Sequence, residues 1–269
     1  MPKSEAKGAG LKPALPAALQ HVNLNAAGID VGGSSHYVAV PADRDERPVR
    51  QFASFTADLY QLAEWLKSCG IETVAMESTG VYWIPVFQVL EERGFEVKLV
   101  DPRQLKRAPG RKTDVADCQW LQQLHTFGLL AAAFRPDNQT CVLRAYMRQR
   151  AMLVSYAGQH VQHMQKALVQ MNLQLQYVLD DITGATGLRI IRAILAGERN
   201  PHRLAALRDQ RCKHPEATIA KALQGDWRTE HLFALEQALQ LVDAYQAQIV
   251  ACDERIQAHL QTFDDRSGG

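Results

Sequence analysis

The chain has 269 residues, 46% of them hydrophobic and 22% charged, with a formal net charge of +1. That length allows one large or two ordinary domains, and the near-zero charge excludes a protein that works through a global basic or acidic field. Five scattered cysteines without a CxxC pair argue against a disulfide scaffold and a thiolate zinc site; no apolar run approaches the ~20 residues of a membrane span, so a reducing cytoplasm without a membrane partner is the expected setting.

Residues 1–21 are rich in Ala, Pro, Lys and Gly, and Lys12, Pro13 and Pro16 interrupt any apolar stretch; they read as a disordered tail rather than a signal peptide. Residues 22–136 read as an α/β domain. Three strands, Asn25–Val31, Ser35–Pro41 and Val49–Phe55, are separated by Gly32-Gly33 and by Asp43 to Glu46, which predicts an antiparallel meander. Thr56 starts a helix to about Cys69, with Leu59, Leu62, Ala63 and Leu66 on one stripe, and Gly70 stops it. A strand at Thr73–Glu77, a helix near Tyr82–Arg93 and a strand at Glu96–Val100 follow, and Asp101-Pro102 ends the last of these. A helix at Thr113–Thr126 and the Arg135-Pro136-Asp137 break close the domain.

Residues 137–263 read as an all-α coiled-coil domain, with 264–269 as a tail or truncation point. Leu143, Met147, Arg150, Val154, Ala157, Val161, Met164, Leu168, Met171, Leu175 and Val178 alternate steps of four and three, a heptad seam. Short helices are expected at Leu188–Ala196 and Ala217–Leu223, with a loop around Thr183 to Gly187 before them. A second seam runs from Leu232 through Leu239, Gln246 and Asp253 to Phe263. The two seams can pair within one chain or between chains. Arg150, Gln246 and Asp253 at seam positions would be costly in a dry core and serve to fix register or oligomeric state.

Four acids stand out. Asp30 ends one apolar run and Glu77 another, while Asp114 and Asp117 lie three apart at a helix start, where residues at i and i+3 share a face. Singly, each has an ordinary reading as a turn residue, a strand end or a helix-dipole partner. The element order carries all four toward one sheet edge. Hard cations take oxygen ligands, and paired ions can stabilise the attacking and leaving oxygens of a phosphoryl transfer, so the tetrad reads as catalytic and as a site for Mg²⁺ (or Mn²⁺). Between Arg93 and Lys112 stand Arg93, Lys98, Arg103, Lys106, Arg107, Arg111 and Lys112 against Glu96 and Asp101, a local charge of +5. Beside the acids, such a stretch suits phosphodiester contacts. Arg144, Arg148, Arg150 and Lys166 form a weaker basic surface, and His160 and His163 read as surface residues.

Gly28 to Ser35 also looks like the first phosphate loop of sugar kinases and actin-like ATPases. No second Asp-Gly-Gly loop follows, which disfavours that reading, and no G-x-G-x-x-G joins a strand to a helix.

Asp on the first strand, Glu on the fourth and Asp-x-x-Asp on a late helix resemble the junction resolvase RuvC, of the ribonuclease H fold. The strings Gly28-Ile29-Asp30-Val31, Met76 to Trp83, Val100 to Gln104, Lys112 to Asp117 and the segment from Ile182 to Pro201 resemble more closely the bacterial insertion-sequence DEDD transposases with a RuvC-like N-terminal domain. That resemblance implies a RuvC-like mixed sheet and a transposase/recombinase that cuts and exchanges DNA strands, guided by a structured bridge RNA. It implies assembly as a homo-oligomer, dimer or tetramer, through the coiled coil. By position it makes Asp30, Glu77, Asp114 and Asp117 the metal ligands, and Tyr82, Trp83, Arg103 and Lys112 nucleic-acid contacts. The family also has a C-terminal serine domain. No such segment follows the second seam and Ser267 has no supporting element, so the chain reads as lacking that domain. Two alternatives follow: an inactive truncated nucleic-acid-binding and oligomerisation module, or a RuvC-like junction endonuclease.

Overall fold

In a computed structural model the described residues are 22–78, 80–101 and 113–263. The chain forms two compact units that divide between Arg135 and Pro136. The expected tail at 1–21, the end at 264–269 and most of the basic stretch lie outside the described residues.

The first unit is built on a five-stranded mixed sheet of order β3-β2-β1-β4-β5. Strands β1 (Ala26–Val31), β2 (Ser35–Ala39) and β3 (Val49–Ala53) form the antiparallel meander. Strands β4 (Thr73–Glu77) and β5 (Glu96–Val100) add to the other side of β1 in parallel. Parallel neighbours need crossover connections, supplied here by helices α1 (Thr56–Ser68) and α2 (Trp83–Glu92). One sheet face, with Ala27, Ile29, Val38, Val74, Met76 and Leu99, packs on Leu62 and Leu66 of α1 and Val86 and Leu90 of α2. At about 2 kcal/mol for each fully buried aliphatic side chain, this apolar layer is the main support of the unit. The turn after β2 is pinned by Asp45, whose carboxylate accepts from the Trp65 indole at 2.9 Å, the Arg47 amide at 2.7 Å and Arg50 at 2.8 Å. Helix α3 (Asp114–Thr126) covers the opposite face. This is the RuvC/ribonuclease H-like α/β arrangement.

The second unit is all-α. Helix α4 (Asn138–Gln170) and helix α9 (Thr229–Leu260) pack as an antiparallel pair. Gln139 reaches the carbonyl of Thr262, Arg150 reaches Asp253, and His160 stacks on Tyr245 at 5.5 Å. Arg150 and Asp253, each awkward alone at a seam, thus neutralise each other. At the loop end of the pair, α5 (Leu175–Val178), α6 (Ala185–Leu195), α7 (Pro201–Ala205) and α8 (Glu216–Ala222) close a second core around Met164, Leu168, Ile190, Ile194 and Leu235.

Two expectations are corrected here. The first heptad does not run on to Val178. Asn172 adopts a left-handed φ of 55°, α4 ends at Gln170, and Met171, Leu175 and Val178 turn into the globular core. Gly187 lies inside α6 rather than in a loop, and its lack of a side chain is required there because a Cβ would overlap the carbonyl group of Ile182.

Candidate metal and nucleic-acid site

The site is positioned by the contact between β1 and α3. Alternation along β1 sends Ala27 and Ile29 into the α1–α2 core, and Ala26, Gly28 and Asp30 to the face that α3 covers. A methyl group on Gly28 would overlap the Gln122 amide nitrogen and the Cys118 carbonyl oxygen, so the backbone of α3 rests directly on the strand. The Gln122 side-chain amide donates to the Ala26 carbonyl at 3.4 Å, and the Val22 N–H donates to the Thr126 carbonyl at 2.8 Å. The helix therefore runs antiparallel to β1, and its first turn lies at the carboxyl end of the strand.

Strand β4 adds Glu77. Its Thr73 bonds to His125 of α3 at 2.9 Å and its Ala75 packs against Leu121, which gives Glu77 the same face by alternation. The parallel register pairs Ile29 with Met76, so Asp30 and Glu77 come next on adjacent strands, about 4.8 Å apart in the pairing direction. Thr113 caps α3 by accepting from the Ala116 N–H at 3.2 Å. That fixes Asp114 and Asp117 in the first turn, where the helix dipole favours carboxylates. Asp30, Glu77 and Asp117 are half-buried and Asp114 is exposed.

Cys118, not singled out from the sequence, lies among these acids. Its thiol donates to the Val115 carbonyl at 3.1 Å. Burial pushes the thiol up to about 12, and the charges of Asp30 and Asp117 push it the same way. It is therefore a neutral packing group at neutral pH. Its i+4 relation to Asp114 was the available signal.

The fold thus brings all four acids to one edge and one face of the sheet. It does not close them on a point: among the described residues no three His, Cys, Asp or Glu side chains are grouped to hold an ion. The donors are all oxygen, which suits a hard cation. Mg²⁺ characteristically takes one or two protein carboxylates and fills its shell with water and phosphate oxygens. The residues fit an ion whose shell substrate completes better than an all-protein cage. A cavity of about 480 Å³ lies near the other end of β1, lined by Leu24, Arg44, Gln122 and Phe127, and none of the four acids lines it.

The nucleic-acid candidates divide. Arg103, Lys106, Arg107, Arg111 and Lys112 lie outside the described residues. Trp83 is turned into the fold: its indole donates to the Gly80 carbonyl at 3.2 Å and its ring meets Phe87 edge-on at 5.7 Å. Tyr82 is 54% exposed.

A family model of the IS110 type of DEDD transposases, described as a transposase, matches residues 27–173. The chain belongs to that family. The matched residues take in all of the sheet except Ala26, α1 to α3 and the full length of α4. A comparison with curated proteins finds no match. As a member of the DEDD transposases the protein serves insertion-sequence transposition, and its partner is DNA. Among the described residues no helix of the transposase is long and apolar enough to cross a membrane.

Proposed function

We propose that this chain carries the metal-dependent DNA-cleaving domain of an insertion-sequence transposase and its helical assembly region. Asp30, Glu77, Asp114 and Asp117 hold Mg²⁺ or Mn²⁺. One relationship carries the reading: Asp30 and Glu77 end adjacent parallel strands on the face where α3 begins with Asp114 and Asp117. A bound ion supplies charge stabilisation to a scissile phosphodiester. The strands hold two carboxylates at a set spacing, α3 brings two more against them, and the Arg93–Lys112 segment supplies cations for the flanking phosphates.

Target choice by a structured guide RNA, homo-oligomerisation through α4 and α9 as a dimer or tetramer, and a cytoplasmic location belong to the same proposal. They are supported by the family resemblance. The exposed apolar residues Met147, Val154 and Val250 on the two long helices add support for assembly.

The test is incubation of the chain with end-labelled DNA and Mg²⁺ or Mn²⁺, with and without RNA that co-purifies. Cleavage that disappears in Glu77→Gln is the expected result. Binding without cleavage assigns the chain to a nucleic-acid-binding and assembly module instead, and cutting of four-way junctions without RNA assigns it to the junction endonucleases.

A further inference from the structure

Two exposed aromatic side chains flank the turn between β1 and β2, immediately beyond Asp30. Phe55 is 74% exposed at the N-cap of α1, although it is among the most apolar side chains in the unit. It is tied to the turn through its neighbour: the Ser54 N–H donates to the Ser34 carbonyl at 3.1 Å and the Ser54 hydroxyl to the Gly33 carbonyl at 3.3 Å. Tyr82 approaches the same turn from the α2 side. Its ring atoms lie 3.4 to 3.5 Å from where a Cβ on Gly33 would sit, and 3.7 Å from the corresponding point on Gly80. The ring is therefore propped against glycine backbone, and Val81 beside it is 66% exposed. Neither aromatic belongs to the core that α1 and α2 build.

We infer that Phe55 and Tyr82 form a stacking platform for unpaired bases of DNA, a role that rests on the function proposed above. Exposed rings held by a short turn lose little freedom on binding, and each offers a π-face that any base can stack on. Gly33, against which Tyr82 rests, is three residues beyond Asp30, and Tyr82 itself is five beyond Glu77. Bases splayed onto the platform would place their backbone beside the carboxylates, while the local charge of +5 between Arg93 and Lys112 attracts that backbone. A protein partner would gain from the apolar surface but not from the excess of cations that the sequence carries between Arg93 and Lys112.

The test uses the full chain with a fluorescein-labelled single-stranded 20-mer, the same sequence as duplex DNA and as RNA, and a single strand carrying 2-aminopurine. Phe55→Ala and Tyr82→Ala are each expected to weaken single-stranded DNA binding about tenfold, within the range for one lost base–aromatic stack. The slope of affinity against salt should stay unchanged, because no phosphate contact is removed. Phe55→Trp should keep both affinity and the 2-aminopurine quenching, whereas Phe55→Leu should lose them; melting temperatures near that of the unaltered chain exclude a folding defect. Unaltered binding in both alanine variants, or Leu serving as well as Phe, would overturn the platform while leaving the metal site standing. Weakening confined to RNA would overturn the assignment to DNA, and no nucleic-acid binding by the unaltered chain would overturn the proposed function together with the platform.

Discussion

His125 of α3 and Thr73 of β4 share a 2.9 Å hydrogen bond in the layer between helix and sheet, at 1% and 7% exposure. The other ring nitrogen of His125 is buried and has no partner among the described residues. Burial, helped by the charge of Lys98, lowers His125 from 6.5 to about 4. Its folded value lies below its unfolded one, so the neutral ring stabilises the fold fully above about pH 6.5, and that stability is lost as pH falls toward 4. The loss is about 3 kcal/mol. Buried His36 is shifted in the same direction and adds to it. Urea denaturation at a series of pH values between 7.5 and 4.5 measures the slope, and His125→Gln should flatten most of it.

Gly28→Ala should destabilise the first unit by about 3 kcal/mol or more, since the added methyl meets α3 backbone rather than a side chain that can move. Chemical denaturation reads the loss. A variant as stable as the parent would mean that α3 does not rest on β1 as described.

Mg²⁺ or Mn²⁺ should raise the melting temperature by mass action, since an ion bound only to the folded chain stabilises it by about 2.7 kcal/mol at a hundred times its Kd. Asp114→Asn should remove the response without unfolding the chain, because Asp114 is exposed in the first turn of α3. A response unchanged in that variant would remove Asp114 from the ligand set.

Arg150 and Asp253 face each other across α4 and α9 as a two-point pair, with side chains 42% and 49% exposed. A pair so open to water contributes only modestly to stability. Arg150→Asp and Asp253→Arg should each destabilise modestly, and combining them should recover most of the loss. A double-mutant cycle in urea measures the coupling.

Much of this architecture was legible from local chemistry. Apolar runs bounded by glycine or proline marked all five strands, and the order of the acids along them implied a common edge. Asn172 hid the end of α4, because a single left-handed residue inside an apolar periodicity leaves no mark in the pattern. Gly187 misled in the opposite sense: its glycine answers a close backbone approach from Ile182, not a turn. Arg150 and Asp253 were visible as anomalies, but their pairing depended on a register 103 residues apart. At the site, Phe55 was overlooked because it was read as the last residue of β3, whereas that strand ends at Ala53 and Phe55 caps the next helix.

Strand β1 is paired along both edges and covered on both faces, so its amides should be among the slowest in the first unit to exchange with deuterium. Asp30 hangs from the end of that strand, and Glu77 from its bonded neighbour. Neither backbone can shift without breaking the sheet. If the four acids hold an ion as proposed, the movement expected during a turnover cycle lies in the opening turn of α3, with Asp114 and Asp117 as the jaw and the strand ends as the anvil.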